Sequence, residues 1–182
     1  HIKNIINSTG ILHLGAHRGS EAEVYNWFNK KALWIEGYPE IYTDLEENLN
    51  NFYGQKPILA LLGDQNKKVN FHVSNRDSSC SSIFDFSDDV KNKKLWSTNN
   101  LKMLKTISLD MKKLDNILLE NKIDPKDYNH WVIDLQGAEL QALKGAENSI
   151  VHCKSIYVEI SQKQYYENGS TNWIDLKNYL NS

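Results

Sequence analysis

Short apolar runs that do not alternate with polar residues set the tightest limit on what this chain can fold into. They lie at residues 11–14, 32–35, 58–62, 131–133 and 156–160. A strand with no polar side is buried on both faces, which is the habit of a parallel sheet. Between the runs, apolar residues recur at helical spacing. Val24, Trp27 and Phe28 do so in 20–29, and Ile41, Leu45, Leu49 and Phe52 after Pro39. Pro39 suits a first helical turn because its missing N–H would have no partner there. Leu114, Ile117 and Leu118 face inward from a helix expected over 110–121, and further helices are expected over 139–148 and 172–180. Val69, Phe71 and Val73 alternate, as in a half-exposed antiparallel strand, and residues 107–109 are the candidate to pair with them. Buried strands alternating with amphipathic helices give an α/β fold. The expectation is a doubly wound, mostly parallel sheet with helices on both faces and right-handed crossovers. In such sheets ligands bind at the carboxyl ends of the strands.

The 182 residues suffice for one domain with a sizeable core. The chain starts at His1 and stops within a helical pattern, so residues 1–182 are expected to be a single domain cut from a longer protein. Lys plus Arg is 21 against 23 Asp plus Glu, a net charge of −2. That balance offers no basic footprint for a phosphate backbone, so no nucleic acid partner is expected. No run approaches the ~20 apolar residues of a membrane span, and no secretory leader is visible. Cys80 and Cys153 are too few for a disulfide framework or a four-thiolate zinc site. A reducing, cytoplasmic setting is the expectation. His72, His130 and His152 have no metal-ligand spacing, and a metal requirement stays open.

The residues that follow each strand carry the chemistry. Gly15-Ala16-His17-Arg18-Gly19 is a glycine-bracketed turn after the first strand. Such a turn lets a ligand approach the backbone and aims N–H groups at it. Its spacing is not the G-x-G-x-x-G dinucleotide fingerprint. Glu36 ends the second strand about 20 positions later, where a ribose diol needs an acceptor. Asp64 follows the third strand and could meet an adenine amino group, although Gly63-Asp64-Gln65-Asn66 also reads as a plain turn. Asp134 leaves the fourth strand beside Gly137, and Glu159 lies in the last strand. Adjacent parallel strands would bring these two acids to one rim, where paired carboxyls raise each other's proton affinity and make a base for neutral pH. The plain readings are a helix cap for Asp134 and an ion pair for Glu159. His17, in the glycine turn, is a third candidate base, and His13 reads as a hydrogen-bonded structural histidine. Residues 74–100 are polar and long for a connector, with Trp96 near their end, and are expected over the carboxyl edge of the sheet. The hydroxyls within 78–82 are candidates to line a cleft there.

Taken together, these motifs resemble the FkbM-type methyltransferases, a branch of the class I methyltransferase fold. The strongest match is residues 133–146, Ile-Asp-Leu-Gln-Gly-Ala-Glu-Leu-Gln-Ala-Leu-Lys-Gly-Ala, beside the family's I-D-V-E-G-A-E-x-x-V-L-x-G-A. Supporting matches are residues 14–19, 34–39, 107–110 and 158–160, followed by Tyr166 and Gly169. The resemblance implies S-adenosylmethionine as cofactor and O-methyl transfer to a hydroxyl of a sugar or polyketide. It implies cofactor contacts at Gly15, Ala16, His17, Gly19, Glu36 and Asp64. The catalytic candidates are Asp134, Glu159 and His17, and the substrate-binding candidates are Ser81, Ser82, Gln136 and Tyr166. Tyr165, Tyr166 and Trp173 could stack on a sugar face. The partners implied are a small-molecule or glycan acceptor with a free hydroxyl, and fusion to other glycan-building domains. His13 stands where many members carry Asp, Gln136 replaces the commoner Glu, and the family fold's terminal antiparallel strand pair is not expected within this chain. Two alternatives stay open: a degenerate cofactor-binding module and a nicotinamide-dependent oxidoreductase. The second is disfavoured by the missing fingerprint and the lack of a Tyr-x-x-x-Lys pair.

Overall fold

The computed structural model describes residues 1–93, 100–167 and 170–182; Trp96 and Gly169 lie outside them. Helix α1 (Ile2–Asn7) leads into β1 (Ile11–Leu14), α2 (Ala22–Trp27), β2 (Ala32–Glu36), α3 (Pro39–Leu49) and β3 (Gln55–Leu59). Then come β4 (Leu61–Leu62), β5 (Lys67–Ser74), α4 (Asp88–Lys91), β6 (Met103–Lys112) and α5 (Leu114–Glu120). The chain closes with β7 (His130–Ile133), α6 (Glu139–Lys144), β8 (Ser155–Val158) and α7 (Trp173–Leu180).

Five strands form an all-parallel sheet in the order β3-β2-β1-β7-β8. The chain winds outward from β1 to β3 and then returns to the other side of β1. That reversal opens a crevice between the carboxyl ends of β1 and β7. Leu12, Leu14, Leu33, Ile35, Trp131 and Ile133 face α5, α6 and α7 on one side. Ile11, Ala32, Trp34 and Val132 face α1, α2 and α3 on the other. The expected doubly wound α/β architecture is therefore present, with both faces of the sheet covered.

A second, three-stranded sheet has the order β4-β6-β5. β5 and β6 pair antiparallel, as the alternation in 69–73 implies, and their apolar face packs on Tyr38, Ile41 and Leu61. Three expectations need correction. The run 58–62 is not one strand: it breaks at Ala60, and Leu61–Leu62 leaves to pair with β6. β3 instead starts at Gln55, whose side chain is buried between the Trp34 indole N–H and the Ala22 carbonyl. The helix expected from Asp110 starts at Leu114, because Met111 is shared between β4 and β5 in the small sheet.

Among the described residues no strand follows β8, and Tyr157 on that edge strand is 53% exposed. No helix among them is long and apolar enough to cross a membrane. His13 is buried, with Nδ1 3.0 Å from the Tyr25 hydroxyl and its ring stacked on Trp34, which is the expected structural histidine.

Candidate functional site

The glycine turn after β1 is built by main-chain geometry. Gly15 and Gly19 have φ of 83° and 73°, a left-handed region that L side chains rarely adopt. A Cβ on Gly15 would fall on the carbonyl oxygen of Asp134, and one on Gly19 would press on Leu45. The N–H groups of Gly15 and Ala16 both donate to the Ile35 carbonyl. Ala16 and Gly19 thus shape the turn from behind, while Gly15 and His17 line the crevice.

Glu36 closes this turn from β2. One carboxylate oxygen accepts from the His17 N–H at 2.8 Å, and the other accepts from the Tyr38 N–H at 2.8 Å. Burial raises the proton affinity of Glu36, and these two N–H groups oppose the rise. Each oxygen keeps acceptor capacity for a further hydroxyl. Asp64 is not brought here. It lies in the bend between β4 and β5 and lines neither cavity at the crevice.

Two cavities flank the ends of β1 and β7. The first, about 80 Å³, is lined by Gly15, His17, Glu36 and Asp134, and by Tyr38, Ala60 and Leu61. Its outer wall is Ser78, Ser79, Ser81, Ser82 and Ile83. The second, about 760 Å³, holds Asp134, Glu159, Tyr165 and Tyr166, with Arg76 and Lys163. Ser79, Asp134 and Gln136 line both.

Segment 74–82 forms a strap over both cavities. Arg76, Asp77 and Ser78 are all left-handed, with φ of 56°, 62° and 62°. Three such residues in succession, none of them glycine, persist only when surrounding contacts hold them. The contacts converge on Asp77. His17 Nε2 donates to its carbonyl at 2.9 Å, and the Arg18 guanidinium pairs with its carboxylate and with Asp44 of α3. Farther along, the Ser81 Oγ accepts from the Ser74 N–H, and the Ser82 hydroxyl donates to the Gln136 carbonyl at 2.7 Å.

Asp134 and Glu159 sit on adjoining strand ends. The Asp134 N–H donates to the Leu14 carbonyl and that of Glu159 to the Ile133 carbonyl, extending the two parallel ladders by a residue. Burial first, and then the neighbouring Glu159, push Asp134 up to about 7. Gln136 donates from Nε2 to Asp134 Oδ1 at 2.6 Å and accepts from the Tyr166 hydroxyl at 2.7 Å. The same hydroxyl lies 3.1 Å from the Cys80 carbonyl.

Sequence reasoning did not single out Glu139, Asp77 or Arg18. Glu139 is 3% exposed, and its carboxylate accepts from the N–H groups of Leu135 and Gly137, holding the turn that carries Gln136. Its place two residues after Gly137, at the head of a helix, was the available signal. Asp77 carried none, because its partners are about sixty residues away. Trp173 is 58% exposed at the start of α7 and lines neither cavity. Among the described residues no cluster of His, Cys, Asp or Glu is suited to a metal ion.

A family profile described as "Methyltransferase FkbM domain" matches residues 13–181. The chain is 26% identical over 161 residues to a protein named 2-O-methyltransferase NoeI, from Sinorhizobium fredii (strain NBRC 101917 / NGR234). The alignment covers 86% of this chain and 65% of that protein, so the chain spans just under two thirds of its relative's length. No solved structure gives a significant match.

Proposed function

This chain belongs to the FkbM methyltransferase domain family, and from that premise we propose that it moves a methyl group from S-adenosylmethionine to a hydroxyl of a sugar or glycan. One observation carries the reading. Asp134, a carboxyl poised near neutrality, stands where a cleft bounded by Glu36 meets a larger polar cavity. A displacement reaction needs such a junction, with donor and acceptor approaching one point from opposite sides.

The residues of the first cleft suit the cofactor in chemistry. Glu36 offers free lone pairs for a ribose diol, and Tyr38, Ala60, Leu61 and Ile83 offer an apolar slot for a base. At about 80 Å³ the cleft is narrower than the roughly 300 Å³ a small-molecule site needs, so residues 78–83 shift outward when it fills. Asp64 has no part in this reading.

When bound, the cofactor supplies a methyl carbon made electrophilic by its sulfonium. A sugar hydroxyl is a poor nucleophile at neutral pH and needs a base within hydrogen-bond reach. Asp134 would take the hydroxyl proton as the acceptor oxygen bonds to that methyl carbon and the carbon–sulfur bond breaks, its electron pair staying on sulfur. Glu159 then orients the hydroxyl. His17 is the reserve base, although its Nε2–H is engaged by the strap at Asp77. Tyr166 is bonded to Gln136 and shapes the acceptor cavity rather than reaching into it, whereas Ser81 and Ser82, expected to meet the acceptor, wall the first cleft instead.

The test is transfer of labelled methyl from S-adenosylmethionine to a panel of sugars and glycans, alongside calorimetric titration with S-adenosylhomocysteine and NAD. Binding of the first ligand and labelled product are expected. Binding of NAD instead, or cofactor binding without transfer to any acceptor, would replace this reading with one of the two alternatives.

A further inference from the structure

We infer that Gln136 is a positioning residue: its amide, anchored on the Tyr166 hydroxyl, donates to Asp134 and holds that carboxylate in one orientation. The inference deepens the methyl-transfer reading and rests on it for the role of Asp134 as base.

The geometry sets the sense of the amide. Gln136 Nε2 lies 2.6 Å from Asp134 Oδ1, and Oε1 lies 2.7 Å from the Tyr166 hydroxyl. While Asp134 is ionised it only accepts, so the amide N–H faces it, and the Tyr166 O–H can then donate to Oε1. In that state, reversing the amide would set two acceptors against each other. The backbone beneath is pinned as well. Gln136 has φ of 51°, the Ser82 hydroxyl donates to its carbonyl, and Glu139 holds the N–H groups on either side. Tyr166 is 7% exposed and stacks on Phe86, so it has little freedom to turn away.

A donor at this point favours the ionised form of Asp134. Around that carboxyl stand Glu159 beyond β8, Glu139 on α6, Tyr166, and Cys80 and Arg76 of the strap. Burial and the two neighbouring acids raise its proton affinity, and the Gln136 hydrogen bond acts against them. A glutamate at position 136 has nearly the same shape but no donor, and adds a third negative charge. The glutamine therefore keeps a half-buried acid usable as a base near pH 7.

The experiment follows the Asp134 carboxyl carbon by NMR in the full chain labelled at aspartate. Its resonance is identified by its loss in Asp134→Asn, and it is titrated without cofactor or acceptor. Gln136→Glu is expected to move the midpoint up by a pH unit or more, which is tenfold or more in proton affinity. Tyr166→Phe, which keeps the ring packing but frees the amide, is expected to move it up by less. In transfer assays the acid limb for Gln136→Glu should shift by the same amount, with turnover recovering at higher pH. If Gln136→Glu does not fold, the Tyr166→Phe titration decides. Midpoints unchanged from the parent would overturn the inference, and so would a loss of turnover that is equal at every pH. The titration needs no acceptor, so its outcome stands apart from success or failure in finding one.

Discussion

The carbonyl of Asp134 occupies the place where a side chain on Gly15 would begin. The ends of β1 and β7 are therefore in van der Waals contact through their backbones. Gly15→Ala should lose at least about 1–2 kcal/mol of stability from its left-handed φ alone, with the clash added. Denaturant unfolding together with S-adenosylhomocysteine titration checks this. A variant of full stability that still binds would mean the two strand ends can part freely.

Glu36 both braces the glycine turn and is the proposed ribose acceptor. Glu36→Ala should weaken cofactor binding by about 1.5–3 kcal/mol, the scale for hydrogen bonds to a charged group. Glu36→Gln keeps one acceptor oxygen and should lose less. Calorimetry on both variants measures the difference, and unchanged affinity in Glu36→Ala removes the residue from the role.

Replacing Asp134 by Asn keeps its shape and removes its basicity. Turnover at saturating cofactor should fall by ~10²–10⁴-fold, the usual range for loss of a general base. Glu159→Gln should fall by less. In the parent protein, turnover should rise as pH climbs through about 7, where Asp134 sheds its proton. Near-parental turnover in both variants would leave His17, or placement alone, to carry the reaction.

Stability should respond to pH through two groups of opposite sign, the half-buried Asp134 and the buried His13. Asp134 is raised from 3.8 to about 7, so the folded chain holds its proton more tightly; that contribution is full below 3.8 and lost as pH rises to 7. His13 is lowered from 6.5 to about 3, chiefly by burial, so its contribution is full above 6.5 and lost as pH falls toward 3. Asp134→Asn removes the first and leaves the second unopposed. At pH 8 it should be more stable than the parent by on the order of 1–3 kcal/mol, and the advantage should shrink on acidification to pH 4. Urea unfolding at both pH values shows whether it does.

Asp77 anchors both His17 and Arg18 on the strap. Asp77→Ala should speed tryptic cleavage after Arg76 several-fold while leaving the unfolding midpoint nearly unchanged. An unaltered digestion rate would show that other contacts hold the segment.

The parts of the fold that local pattern encodes were readable in advance. β1, β2 and β7 are short, mostly apolar runs, and each lies within one residue of its expected span. What escaped depends on distant partners. Gln55 looks polar, yet it is a buried strand residue because the Trp34 indole and the Ala22 carbonyl satisfy its amide. Leu61 looks like the continuation of β3, yet it packs against Gly37 and pairs with Met111, fifty residues on. At the site, the strand-end acids were legible because the fold class says where to look. The bonds from Gln136 to Tyr166 and from Arg18 to Asp77 were not, since neither has a local sequence signature.

The strap walls both cavities at once, and this couples their traffic. Any outward swing of residues 78–83 wide enough to admit a nucleoside also opens the base-bearing rim to bulk water. Under the proposed methyl transfer, cofactor exchange and acceptor exchange would share this one moving wall, and a viscous solvent that slows its swing should slow turnover even though no bond-making step has changed.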